Sequence, residues 1–151
     1  MSLSQRHTPI MALITISGFP SSGKSTRAAQ IQNFISKKDP SSNVIIISDH
    51  SLGLSPNEYS QSSSEKSARA TLFAAVQRHI AADTILIVDS LNYIKGFRYQ
   101  LYCAARELKL RTCTVCNDYS PYLSNSSIQS IIRYLSLQVQ IYVEDGMHLG
   151  S

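Results

Sequence analysis

With 151 residues, 43% of them hydrophobic and 16% charged, the chain has the size and composition of one soluble globular domain with a real core. Its formal net charge of +4 and pI near 9.1 suit a polyanionic partner. No apolar run approaches the ~20 residues of a membrane helix, and three cysteines, an odd number, argue against a secreted disulfide framework and for a reducing, intracellular setting.

Residues 1–9 are polar and are expected to form a flexible N-terminus. The apolar run 10–16 is rich in β-branched residues and predicts a strand over about 11–17. It leads directly into Gly18, Phe19, Pro20, Ser21, Ser22, Gly23, Lys24 and Ser25, which fit the phosphate-loop pattern G-x-x-x-x-G-K-[ST]. A helix over about 23–36 follows, with Ala28, Ile31 and Ile35 on one stripe and Lys37 and Lys38 at its carboxyl end. In this strand–loop–helix context, Gly18 and Gly23 let successive N–H groups point inward, and the helix adds its positive end. Lys24 then falls beside the β- and γ-phosphates of a nucleotide, and the Ser25 hydroxyl falls where it can ligate Mg²⁺.

Residues 39–43 read as a turn, and 44–48 as a short buried strand that ends at Asp49. The polar, serine-rich stretch 49–64 has little periodicity and predicts a long, mobile loop at the carboxyl end of that strand. A second helix is expected to start with Ser63 or Ser64 as its cap and to carry Leu72, Phe73, Val76 and Ile80 on one face. The run 84–88 predicts a strand closing at Asp89, followed by a loop over 90–96. A helix over about 97–108 comes next, with Leu101, Ala104, Ala105 and Leu108 inward, and then a strand over 110–115. Beyond a turn-rich stretch, Ile128, Ile131, Ile132 and Leu135 have helical spacing. Leu137, Val139, Ile141 and Val143 alternate as in a strand. Together these predict an α/β three-layer sandwich with a parallel sheet of four to five strands, and a site at the strands' carboxyl ends. The organisation is a nucleotide-binding domain over 10–116 and a divergent tail over 117–151, the latter read as the last helix and strand of the same domain.

Three carboxyl-end positions carry the remaining chemistry. Asp89 stands where phosphate-loop enzymes keep the acid that holds the Mg²⁺ water shell. Asp49 stands where an acceptor, hydroxyl or water, is oriented or deprotonated. Either could instead cap a turn. Lys95 and Arg98, interleaved with Tyr93, Tyr99 and Tyr102, could bind nucleotide phosphate or an RNA backbone, with tyrosines stacking bases. A solvated helix start explains the same composition. Cys113 and Cys116 form a C-x-x-C without a second pair, and read as strand thiols rather than as a zinc site.

The string from Asp89 through Asn92, Lys95 and Arg98 to Cys103 closely resembles the Kti-twelve (killer-toxin-insensitive) family, Elongator-associated ATPases that regulate tRNA wobble-uridine modification. That family is similar in turn to the kinase that phosphorylates seryl-tRNA for selenocysteine synthesis. Ser25-Thr26-Arg27-Ala28 and Ser48-Asp49-His50-Ser51-Leu52 agree in type and order, as does the helix with Lys66, Arg69 and Arg78. The resemblance spans roughly 10–116. His50 departs from it, standing where the family has a second acid. Residues and resemblance together imply ATP held by Gly18 to Thr26, and Mg²⁺ held by Ser25, Asp89 and Asp49. Lys24, Asp49 and Arg98 are the implied catalytic groups. The implied partners are the Elongator complex and tRNA, with no membrane, in the cytoplasm and also the nucleus. Family members are longer, with a helical C-terminal domain implicated in tRNA binding, so the resemblance implies weak tRNA binding by these residues alone. Two alternatives stay open: a small kinase acting on a tRNA-linked or free hydroxyl, and a truncated nucleotide-binding fragment without turnover.

Overall fold

The fold comes from a computed structural model that describes residues 11–117, 128–131, 133 and 142–144. Strand β1 (Ala12–Ser17) lies in the middle of the sheet, and all six of its residues are buried. Around it run α1 (Lys24–Lys38), β2 (Asn43–Ser48), α2 (Ser62–His79), β3 (Thr84–Asp89), α3 (Lys95–Glu107), β4 (Arg111–Cys116) and β5 (Tyr142–Glu144). The five strands among the described residues are all parallel, in the order β2-β3-β1-β4-β5.

Alternation along the strands divides the core in two, because successive side chains leave opposite faces. Ala12, Ile14 and Ile16 of β1, with Ile85, Ile87, Cys113 and Val115, pack under Ala28, Ile31 and Ile35 of α1. Ile128 and Ile131, in a helical stretch on that same side, complete this cluster. Leu13, Leu86 and Val88 pack on the other face against Leu72, Ala75 and Val76 of α2 and Phe97, Leu101 and Ala105 of α3. The result is the expected three-layer sandwich. Register brings Ile16 and Ser48 level with Asp89, and Ser17 level with Cys116. The carboxyl ends of β1, β2 and β3 therefore share one rim.

Several local expectations are corrected. Among the described residues β2 is an edge strand, and only Ile47 in it is fully buried. The stretch 49–64, expected to be one long loop, carries two 3₁₀ turns, His50–Leu52 and Pro56–Tyr59, and the start of α2. In the second, Ser55 and Glu58 form a capping box. Helix α2 starts at Ser62 behind Gln61, so neither Ser63 nor Ser64 is its cap, although the Ser64 hydroxyl donates to the Gln61 carbonyl. Helix α3 begins at Lys95, and Leu108, expected inward, is 43% exposed just past its end. Cys113 faces the core, where burial pushes its thiol up to about 12. The predicted strand over 137–143 is met by β5 at residues 142–143; residues 137–141, Ile132 and Leu135 lie outside the described residues, as does the N-terminal stretch 1–9.

Candidate functional site

The loop between β1 and α1 has the backbone that its glycines permit. Gly23 is left-handed at φ 86, immediately before the first turn of α1. Ser21 takes a left-handed φ of 59, and the Ser22 N–H closes a turn onto the Phe19 carbonyl at 3.2 Å. Gly18 is needed for a different reason, close approach. A Cβ there would lie 2.9 Å from the Asn117 carbonyl oxygen and 2.8 Å from Ser22 Oγ. No acid occupies the first turn of α1, so its positive end is left for an anion.

The side chains converge as the register requires. Lys24 Nζ donates to the Phe19 carbonyl at 2.7 Å and lies near both Asp89 and Asp49. Burial lowers its pKa, and the two carboxylates oppose that shift. Asp89, 5% exposed, is hydrogen-bonded by the Ser25 hydroxyl. Burial raises its carboxyl above the ordinary value; the Ser25 bond and the Lys24 charge pull it back, while Asp49 pushes it further up. Asp49 accepts from Tyr59 Oη at 2.7 Å and from Ser90 Oγ at 2.8 and 3.0 Å. Burial first, and Asp49 in addition, raise the Tyr59 phenol, so it remains a donor across the physiological range.

These groups line one cleft of about 950 Å³. Its floor is Ser17, Gly18, Lys24, Ser25 and Asp89, and its far wall runs from Asp49 and His50 through Leu54 and Pro56 to Tyr59. Phe19, 69% exposed, and Tyr93, 55% exposed, flank the mouth. Oxygen donors on Ser25, Asp89 and Asp49 around one cavity suit a hard cation such as Mg²⁺, which takes one or two carboxylates together with phosphate oxygens. Of the sequence-predicted residues, Gly18 to Ser21, Lys24, Ser25, Asp49 and Asp89 line this cleft. Ser22 and Gly23 shape the loop without lining it, and Thr26 lies on the exposed side of α1.

Arg98 is elsewhere. Its Nη1 donates to the carbonyls of Asn92 at 2.8 Å and Tyr93 at 2.9 Å, and neither it nor Lys95 lines the cleft. The guanidinium holds the loop that follows β3. Within that loop Asn92, left-handed at φ 45, spans the ends of two strands: Nδ2 donates to the carbonyls of Ile16 at 2.8 Å and Val88 at 3.2 Å. Ser17 Oγ donates back to the Asn92 carbonyl at 3.2 Å. The sequence alone marks no role for Asn92, Tyr59, Ser90 or Asn117. Asn92 and Ser90 were within reach as polar residues beside Asp89; Tyr59 and Asn117 join the site only through tertiary packing.

Three comparisons bear on this arrangement. The family model described as chromatin associated protein KTI12 matches residues 11–132. Protein kti12 of Schizosaccharomyces pombe is 45% identical over 114 residues, covering 70% of this chain and 40% of that protein. The chain spans less than half the length of the yeast and frog relatives it matches, 40 to 45% of each. Among solved structures, Chaetomium thermophilum Kti12 in complex with ADP-AlF3 superposes with a TM-score of 0.64 at 33% identity, covering 80% of this chain and 78% of that one. An APS kinase from Mycobacterium tuberculosis matches with a TM-score of 0.63 at 15% identity, covering 85% of this chain and 99% of that one, a likeness of fold alone.

Proposed function

Because the chain belongs to the KTI12 family, we propose that it is a Mg²⁺-dependent ATPase whose nucleotide state regulates Elongator and its tRNA substrate in wobble-uridine modification. The observation that carries the reading is the convergence of Lys24, Ser25, Asp89 and Asp49 on the cleft beneath a folded phosphate loop. The crystallised relative, at 33% identity, holds ADP-AlF3, which supports the nucleotide part. The loop N–H groups and the α1 terminus bind the phosphates, and Lys24 places its charge beside them. Ser25 and Asp89 would hold Mg²⁺, which supplies charge neutralisation on the phosphate oxygens when bound. Asp49, aimed by Tyr59 and Ser90, orients the attacking water and accepts its proton. Elongator and tRNA are the proposed partners, and cytoplasm and nucleus the proposed compartments.

A second reading, a small kinase, draws on one feature. The cleft continues past Asp49 along Leu54, Pro56 and Tyr59, leaving room for an acceptor hydroxyl in place of water. Turnover of γ-labelled ATP with and without tRNA separates the readings. Turnover stimulated by tRNA with no label on RNA supports the ATPase. Label on RNA supports the kinase. No turnover under either condition refutes both.

A further inference from the structure

Arg27 is an arginine in a place where a cation is costly. It is 2% exposed, on the first turns of α1, and the acceptor that takes both its Nε (3.2 Å) and its Nη2 (3.1 Å) is Asn117 Oδ1. Gln30 Oε1 accepts from Nη1 at 3.2 Å. Asn117 is itself 2% exposed, at the first residue beyond β4. Its amide orientation is forced from both ends. Oδ1 faces a guanidinium, which only donates, and Nδ2 faces the Ser22 carbonyl at 2.5 Å, which only accepts.

Through that amide and its backbone, Asn117 touches the phosphate loop at both ends. Its N–H donates to the Ser17 carbonyl at 2.7 Å, at the loop's entrance. Its carbonyl oxygen is what a Cβ on Gly18 would strike. Its Nδ2 bonds Ser22 and lies 3.7 Å from where a Cβ on Gly23 would stand, at the loop's exit into α1. We infer that Asn117 is a positioning residue of the phosphate loop, itself held in place by the buried guanidinium of Arg27. The Asn117 amide holds the carbonyl of Ser22, the residue whose N–H closes the loop's turn onto the Phe19 carbonyl. The consequence for nucleotide binding rests on the reading given under Proposed function; the consequence for loop geometry does not.

Asn117→Asp tests this. It keeps an oxygen for Arg27, with added charge attraction, but replaces the Nδ2 donor by an acceptor facing the Ser22 carbonyl. Two measurements follow on the full chain. Amide hydrogen exchange at Ser22, whose N–H is bonded to the Phe19 carbonyl, should quicken on the order of tenfold, while Ile14 and Ile87 in the central strands keep their protection. ADP affinity should fall about tenfold, the loss of one partly buried hydrogen bond to the loop. Unchanged loop exchange in the folded variant would overturn the inference. Absence of ADP binding by the unmodified chain would instead defeat the nucleotide reading and leave the exchange result to decide this one. If Asn117→Asp does not fold, the unmodified chain decides: the Asn117 side-chain amide protons should exchange far more slowly than those of an exposed asparagine. Exchange at the exposed rate would sink the assignment.

Discussion

Replacing Gly18 by alanine asks the loop for space it does not have. The new Cβ would lie 2.8 Å from Ser22 Oγ and 2.9 Å from the Asn117 carbonyl oxygen. The first conflict is soft, because Ser22 Oγ makes no hydrogen bond and can turn to another staggered position. The second is hard. That carbonyl is backbone, on a residue anchored to Ser17 by a 2.7 Å hydrogen bond and to Arg27 through its side chain. Relief needs a shift of several tenths of an ångström at the end of β4 or in the loop. Overpacking of this kind costs about 1–3 kcal/mol. For a chain of this size each kcal/mol lowers Tm by roughly 3 °C, so a drop of roughly 3–9 °C is expected in a thermal melt. Because the strain is lodged in the loop, ADP affinity by calorimetry should fall by about tenfold or more. Gly96→Ala is the control: no atom lies within 4 Å of its Cβ and it sits inside α3, so Tm should hold or rise slightly. Gly18→Ala with parental Tm and parental ADP affinity would refute the packing argument.

Four further outcomes are expected. Lys24→Ala should lose nucleotide binding, since no other cation lines the floor of the cleft among the described residues; parental affinity in a filter assay would contradict its placement. Asp49→Asn should leave ADP affinity within about threefold and cut turnover by about a hundredfold or more, the contribution of a general base; the reverse pattern would reassign it. Burial raises the Asp89 carboxyl above its usual 3.8, so its charge works against folding as pH rises through the raised folded value, and its stabilising share is fully present only below about 3.8. Asp89→Asn should therefore melt higher than the parent at pH 7, with the gap closing towards pH 4, while Mg²⁺ dependence of nucleotide binding weakens; a lower Tm at pH 7 would reject this. Arg98→Ala removes two hydrogen bonds from the loop after β3 and should cost about 1–2 kcal/mol in a denaturant melt, with turnover falling more than ADP affinity; unchanged stability would show that the loop does not depend on it.

The loop and its acids were legible because their signals are local. Gly18 to Ser25 is a contiguous pattern, and Asp49 and Asp89 each close an apolar run whose periodicity marks a strand end. Strand and helix placement followed for the same reason, to within two residues for β1, β3 and β4. What escaped depends on contacts between distant residues. Asn117 meets Arg27 across 90 positions, and Asn92 meets Ile16 across 76. Tyr59 lies inside the stretch that reads as a long loop, because 3₁₀ turns leave no hydrophobic period to detect. Arg98 was drawn towards phosphate by its charge; in the fold its guanidinium finds two main-chain carbonyls nearer to hand. The edge position of β2 was likewise invisible, since Val44 to Ile47 is as apolar as a central strand.

That edge position has a consequence in time. The two acids of the cleft stand on strands of unequal permanence. Asp89 ends β3, which is paired on both sides and wholly buried; Asp49 follows β2, which is paired on one side and half exposed. Local opening begins where protection is thinnest, so β2 and the turns that carry Tyr59 should breathe well before the Asp89 half stirs. On warming, such a molecule forgets how to aim its attacking group while it still remembers how to grip phosphate. Between those two temperatures it would persist as a holder of nucleotide that turns nothing over.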